Sequence, residues 1–403
     1  HLFKQKTKWD AGQIWRSLLV LIKSIVFYIF DSIVMLENSV SKKNSKKSIV
    51  LIRQDAIGDF IIWLDTAKEY RKLYPPDKFR IILVGNELWC DLAKELPYWE
   101  QVIPVNFKKF KSISRYRRNI LKQIKNLKAE LAIQPTFSRE FYHGDSLARA
   151  SGAYRKISSA GDMSNRNKLK KWLANRWHTE LIPASLEPVS ELERNAEFFS
   201  GVLQNTFLPS YPKLEVSDKQ EILNPELRTF YVLSLGTNKK YREWPINFFA
   251  ETAQNIYKKT GWFGLICGLE TEFNLGENIQ KICDVPLENY AGRTTLKQLA
   301  LLLAKSKMLI SNETGTAHIA SAMGIPTVCI LGGGHFGRFA PYPDLPGQTN
   351  YLKTVSHKMP CYGCNWECVY DLKKDECPPC IANISVDAVW EKIEKIIEAS
   401  EVK

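Results

Sequence analysis

The sequence predicts an α/β protein made of two doubly wound parallel sheets, preceded by an extra apolar helix. Three observations carry this. At 403 residues the chain is too long for one ordinary core, and two domains of about 150–200 residues are expected. Short apolar strands alternate with helical stretches from residue 48, and the alternation restarts at residue 230, the pattern of parallel strands joined by crossover helices. Residues 308–334, MLISNETGTAHIASAMGIPTVCILGGG, compress that pattern into one unit: strand, polar turn, short helix, a stop at Gly324 and Pro326, a second strand, and three glycines.

Residues 1–47 stand apart. The stretch 14–36 is strongly apolar, yet Arg16, Lys23 and Asp31 interrupt it, whereas a spanning helix wants about 20 residues with few charges. Trp15, the flanking Lys4, Lys6 and Lys8, and the basic linker Lys42, Lys43, Lys46 and Lys47 suit a helix lying on an anionic inner leaflet. A helix packed on the protein's own core or on a second subunit, and a true span, stay open beside that reading. No A-x-A-like cleavage site follows the apolar stretch, so a cytoplasmic location is the expectation.

The first domain is expected over residues 48–205. Its strands fall at 48–52, 79–84, 101–105, 130–134 and 154–158, with a helix over 60–73. Ligands of such sheets belong at the C-terminal strand ends, where residues 54–59 and 135–138 lie. Asp59 opens a helix there, a place the helix dipole also favours for any acid. Two basic runs follow. Residues 108–128 carry Lys108, Lys109, Lys111, Arg115, Arg117, Arg118, Lys122, Lys125 and Lys128 without an acid, and residues 166–176 add Lys168, Lys170, Lys171 and Arg176. Solvated helix faces are one reading of these runs; phosphate groups on an acceptor are the other.

Residues 206–228, rich in proline and polar groups, read as a linker. The second domain, 229–385, restarts with strands at 230–235, 262–267, 308–311 and 327–331, and a closing helix occupies 386–400 within the last segment, 386–403. Thr314, Gly315 and Thr316 sit at a helix N-terminus, whose N–H groups and partial positive charge suit a phosphate or diphosphate. An ordinary capping threonine is the plain alternative; the glycines 332–334 one strand later, Gly333 among them, favour the anion site. The loop 236–245 brings Thr237, Lys239, Lys240 and Arg242 to another strand end, within reach of such a diphosphate. Gly268 and Glu272 follow the next strand, where doubly wound domains place an acid against a ribose. The net charge of +13 favours an anionic partner, but no recognition helix, RRM or zinc-finger pattern accompanies it, so nucleic acid is not expected.

These residues resemble glycosyltransferase family 9, the lipopolysaccharide heptosyltransferase family, from about residue 48 to residue 396. The resemblance rests on IVLIRQDAIGDFIIWLDTA, SLGTNKKYREWP and, most specifically, LISNETGTAHIASAMGIPTVCILGG. It implies the GT-B architecture, two facing Rossmann-like domains, with the acceptor on the first and the nucleotide-sugar on the second. The implied reaction is metal-independent inverting transfer from a nucleotide-sugar, with ADP-heptose the leading donor, to an anionic glycolipid at the inner face of the cytoplasmic membrane. Asp59 matches the family's catalytic aspartate, and Arg242 stands where heptosyltransferases carry lysine. The Thr314–Gly315–Thr316 amides and His318 match groups near the diphosphate, and Glu272 an acid on the ribose. Lys108, Lys109, Arg115, Arg118, Lys170, Lys171 and Arg176 would meet the acceptor. Glu313 departs from the family, which commonly has aspartate there to contact the sugar. A sugar-nucleotide epimerase or hydrolase, and a non-catalytic partner of a glycan assembly complex, are the rival readings.

Nine cysteines in a chain this long do not read as a secreted disulfide framework. Five crowd into residues 361–380. Cys361, Cys364, Cys377 and Cys380 form two C-x-x-C pairs, which leaves open a structural zinc, reduced thiols or a local disulfide.

Overall fold

The computed structural model describes residues 11–38, 46–217 and 228–401. Lys4, Lys6, Lys8, Lys42 and Lys43 lie outside the described residues, as does part of the 206–228 linker. The chain forms two compact units. The first takes the described part of His1–Gln54 with Tyr74–Asn86 and Glu100–Ala184; the second takes Asp55–Leu73, Glu87–Trp99 and the described part of Ser185–Lys403.

The first unit holds six parallel strands: β1 (Lys47–Arg53), β2 (Phe79–Asn86), β3 (Gln101–Val105), β4 (Leu131–Gln134), β5 (Arg155–Ser159) and β6 (Glu180–Ile182), in the order β3-β2-β1-β4-β5-β6. Val50 of β1 stands opposite Ile82 on one side and Ala132 on the other. From Ser48 on, β1 is buried at every residue, as an interior parallel strand requires. Val50, Ile52, Ile82, Val84 and Ile103 meet Phe110, Leu121 and Ile124 in one core.

The Ala11–Leu36 helix docks on this unit through Val34, which joins that core, and through a buried ion pair. Arg117 gives Asp31 a bidentate pair at 2.8 and 2.5 Å, and its remaining N–H groups reach the carbonyls of Phe110 and Tyr142 and the Ser146 hydroxyl. Every donor of the guanidinium is thereby satisfied, the condition under which a buried pair is tolerated. At the helix C-terminus Arg118 and Lys122 pair with Glu37, and Lys125 donates to the carbonyls of Met35 and Glu37. Cations at that end complement the helix dipole.

The second unit repeats the topology with β7 (Phe230–Ser234), β8 (Phe263–Ile266), β9 (Leu287–Asn289), β10 (Leu309–Asn312), β11 (Thr327–Ile330) and β12 (Leu352–Val355), in the order β12-β11-β10-β7-β8-β9. Read from the first strand of each unit, both sheets follow the 3-2-1-4-5-6 order of doubly wound folds. Tyr231, Leu233, Trp244, Phe249, Ile310 and Val328 form the core, joined by Val389, Ile393 and Ile397 of the Val386–Glu401 helix. The Ile57–Leu73 helix also belongs here: Ile62 packs with Ala317 and Cys329, and Tyr70 sets its ring 5.0 Å from Phe199. The edge strands β6, β9 and β12 are those the sequence pattern missed; none of these short strands is an uninterrupted apolar run.

Candidate active site

Three strand ends of the second sheet supply the site. After β10 come Glu313 and Thr314, and Thr314 is the extended N-cap (φ −142°, ψ 171°) of the Gly315–Ala322 helix. Its hydroxyl makes no cap bond and lies 3.2 Å from the Ser311 hydroxyl. The helix's first N–H groups are thus left uncapped by that side chain, as an anion site requires.

The loop after β7 is fixed to this end by Asn312. Its side-chain amide donates to the Leu235 carbonyl at 2.5 Å and accepts from the Trp244 N–H at 3.0 Å. Thr237 folds the loop by accepting from the Lys239 N–H and donating to the Lys239 carbonyl. Lys239 and Lys240 are exposed. Arg242 turns inward: it donates to Glu313 Oε2 at 2.8 Å, and its guanidinium lies 4.2 Å from the centre of the Trp366 ring. The side chains of Arg242 and Glu313 are 14% and 11% exposed. Burial pushes the Glu313 carboxyl above its ordinary range, and Arg242 opposes that. Trp366 was not legible as a site residue; its one signal is its place inside the Cys-rich stretch.

Glu272 occupies a seat cut by two glycines. A Cβ on Gly236, after β7, would fall 2.2 Å from the Glu272 carboxyl, and one on Gly268, after β8, 2.3 Å from its Oε2. The Leu269 N–H donates to that same oxygen at 2.8 Å. Burial raises the Glu272 pKa and this N–H holds it down. The acid is therefore fixed at the sheet's C-terminal edge.

Asp59 lies in the first turn of the Ile57–Leu73 helix, half-buried. The turn before it touches the Gly315–Ala322 helix: a Cβ on Gly315 would lie 2.8 Å from the Ile57 side chain and 3.4 Å from the Gly58 nitrogen. A Cβ on Gly58 would meet His318 Cδ2 at 3.0 Å. Glycine on both sides is what lets the two helix starts approach. His318 is buried, with Nδ1 2.8 Å from the Tyr342 hydroxyl, and burial drops its pKa to about 4, so it is neutral at pH 7.

The glycine run after β11 is covered. Cβ atoms on Gly332 and Gly334 would strike the Trp366 ring at 2.7 and 2.3 Å, and one on Gly333 the Tyr362 ring at 2.3 Å. The Gly333 N–H points at Cys380 Sγ (3.4 Å), and the carbonyls of Gly333 and Gly334 accept from Gly363 and Asn365. These glycines admit the Cys-rich segment, which in turn holds Trp366 over Arg242. All nine cysteines are free thiols. Cys361, Cys364, Cys368 and Cys380 line one small apolar cavity with Trp366 and Tyr241, but among the described residues no three Cys, His, Asp or Glu side chains converge as metal ligands. Burial pushes the Cys377 thiol up to about 12.

In the first unit Lys108, Lys109, Arg115 and Arg176 are exposed, and Arg118 is engaged by Glu37. Lys170 sits 4.6 Å over the Tyr142 ring, and Lys171 donates to the Gly161 carbonyl at 2.8 Å. At the ends of β4 and β5, Arg139 and Arg166 share the fully buried Asp145, with His178 against the same carboxylate. Two guanidiniums on one acid leave a surplus of positive charge at the edge where such sheets bind ligands.

Two parallel six-stranded sheets of this order are those of the GT-B class. The solved structure of E. coli heptosyltransferase WaaC with ADP-2-deoxy-2-fluoro heptose shares the fold, with a TM-score of 0.61 over 86% of this chain and 99% of that one at 15% identity. Within that class the chain belongs to glycosyltransferase family 9: the family model described as Glycosyltransferase family 9 (heptosyltransferase) matches residues 153–364. Lipopolysaccharide heptosyltransferase 1 of Pseudomonas aeruginosa is 21% identical over 378 residues, covering 88% of this chain and 99% of that protein. Lipopolysaccharide core heptosyltransferase OpsX of Haemophilus influenzae is 30% identical over 129 residues, 32% of this chain and only 37% of that relative's length.

Proposed function

We propose that this chain transfers heptose from ADP-heptose, with inversion and without a metal, onto a lipopolysaccharide core or related anionic glycolipid at the cytoplasmic face of the inner membrane. The observation that carries the reading is the contact of two helix starts. Gly58, next to Asp59, packs against Gly315, the first residue of the Gly315–Ala322 helix, so a carboxylate base and an anion-binding helix terminus are neighbours. The donor's base and the sugar are supported by relatives that are named heptosyltransferases and by a neighbour solved with an ADP-heptose analogue.

In this mechanism Asp59 takes the proton of an acceptor hydroxyl as its oxygen attacks the anomeric carbon. The bond from that carbon to the diphosphate breaks on the opposite face, and its electron pair leaves with ADP. The amides of Thr314, Gly315 and Thr316 together with Arg242 stabilise the growing negative charge. Arg242 must trade its bond to Glu313 for the phosphate, or share it, which leaves Glu313 to meet the sugar. Glu272 would accept from the ribose, Lys239, Lys240 and Thr237 would lie along the diphosphate, and neutral His318 would hold the helix start. The exposed cations of the first unit suit an acidic acceptor. Cys361, Cys364, Cys377 and Cys380 take no part in the reaction.

The test is transfer itself. With ADP-heptose and a heptose-free core acceptor, mass spectrometry is expected to show acceptor plus one heptose, and NMR an inverted anomeric centre. Conversion of ADP-heptose to a new sugar nucleotide in the absence of acceptor would replace this reading by an epimerase.

A further inference from the structure

We infer that the Ala11–Leu36 and Lys168–Asn175 helices form one lipid-facing surface that lies flat on an anionic leaflet and does not cross it. The inference concerns a surface of the first unit, and it stands or falls independently of the proposed reaction.

The first helix has two unlike faces. Ser24, Phe27, Asp31 and Val34, spaced three or four residues apart, are buried against the unit. The opposite side is open among the described side chains: Trp15 is 64% exposed, Leu19 60%, Ile33 56% and Leu36 84%, with Ile22, Ile25, Val26 and Ile29 between them. Leu18–Leu36 is long and apolar enough to cross a membrane by composition. The docked face argues against crossing. The Ser24 hydroxyl meets the Tyr142 hydroxyl at 3.0 Å and Asp31 is locked to Arg117, so polar anchors tie both the middle and the C-terminal half to the unit. A spanning helix would have to withdraw Asp31 into hydrocarbon and leave Arg117 buried without its partner.

The second helix extends the same open surface. Ala174 is buried, and with Leu173 and Trp177 it joins the cluster of Phe27, Phe141 and Tyr142, so this helix packs beside the first. Tyr28 and Trp177 stack with ring centres 6.2 Å apart, and the Arg149 guanidinium covers both rings at 4.1 and 4.9 Å. Its outward residues are Leu169 and Trp172, 47% and 56% exposed, and Arg176 lies 3.5 Å over the Trp172 ring. Leucine and tryptophan set among Lys168 and Arg176 on a short helix form the pattern of a headgroup-level anchor.

Charge decides the occupant. Lys23 of the first helix and Lys168 and Arg176 at the second are exposed, in a chain of net charge +13. A second copy would bring like charge against this face. Anionic lipid headgroups bring the opposite sign, while their acyl chains accept the apolar stripe.

The experiment uses the full chain and sedimentation with vesicles of phosphatidylcholine alone or mixed equally with phosphatidylglycerol. Strong binding to the mixed vesicles is expected, weakened by salt and weak on phosphatidylcholine alone. The pair Leu169→Glu and Trp172→Glu is expected to lower partitioning about tenfold, and Ile25→Glu with Ile29→Glu at least as much. Alkaline carbonate is expected to release the bound protein. Wild-type partitioning by the Leu169/Trp172 pair would remove the second helix from the surface, and equal binding to neutral vesicles would overturn the anionic leaflet. Resistance to carbonate would make the first helix a span. A dimer in lipid-free buffer that Ile25→Glu with Ile29→Glu dissolves, without vesicle binding by the wild type, would assign the face to a second copy.

Discussion

Replacing Arg242 by alanine would separate two jobs done by one guanidinium. In the resting protein it neutralises Glu313 at 2.8 Å, inside a site where that carboxyl is 11% exposed. Removing it strands a buried acid, which costs about 1–3 kcal/mol for an unsatisfied polar group. With burial already raising its pKa and the opposing cation gone, the Glu313 carboxyl moves further above its ordinary range. At roughly 2–4 °C per kcal/mol for a domain of this size, the melting point should drop by about 2–12 °C. The second job, the one proposed for it, is on the leaving diphosphate, where loss of one fixed donor costs about a hundred- to a thousandfold in kcat. The double variant Arg242→Ala/Glu313→Gln distinguishes the two. It removes the stranded charge, so stability is expected to recover, while kcat with ADP-heptose stays down by two to three orders of magnitude. Thermal unfolding and steady-state transfer on the four proteins of the cycle measure both. Activity of the double variant within about tenfold of wild type would refute a direct role for Arg242 on the diphosphate.

Asp59→Asn is expected to lower kcat by about 10²–10⁴ with ADP affinity unchanged by calorimetry; a matching loss of affinity would make Asp59 a donor ligand and not the base. Gly268→Ala, whose Cβ would lie 2.3 Å from Glu272 Oε2, is expected to displace that acid and weaken ADP binding about tenfold with little change in kcat. Trp366→Phe is expected to keep activity and Trp366→Ala to lower kcat more than it raises KM, because the ring backs Arg242 at 4.2 Å. Burial raises the Asp65 carboxyl to about 7, although Ser210 N–H and the Thr66 hydroxyl donate to it. The unfolded group titrates near 3.9, so the folded state holds its proton longer; the associated stability is full below about pH 4 and is lost as pH rises through 7, on the order of 4 kcal/mol in all. Asp65→Asn is expected to flatten that slope in denaturant melts between pH 5 and 8, whereas an unchanged slope would assign it to another group.

The fold was legible because interior parallel strands announce themselves. β1 and β11 are uninterrupted apolar runs ended by glycine or polar turns, and so their edges and their ligand ends could be placed from residue types alone. Edge strands such as Leu287–Asn289 carry no such run. The basic stretch 108–128 was ambiguous for a different reason. Half of its role is to hold the first helix, and Arg117 and Arg118 find Asp31 and Glu37 more than 80 residues away, a pairing no local pattern encodes. Glycine was half legible. The run at residues 332–334 marked close approach, but a missing side chain does not say what approaches: Trp366 and Tyr362 there, and Glu272 at Gly236 and Gly268. The cysteine segment gains a physical role only in three dimensions, as the carrier of the ring that backs Arg242.

The most direct test of the donor site is a calorimetric titration of the purified chain with ADP-heptose, ADP and UDP-, GDP- and CMP-sugars, repeated on Arg242→Ala/Glu313→Gln. A site built from the Thr314–Thr316 amides, Glu272 and Arg242 is expected to bind ADP, to bind ADP-heptose more tightly, and to lose affinity in the variant. Selective binding of another nucleotide-sugar would keep the site and change the donor. Binding of none of them would contradict a nucleotide-sugar site here altogether.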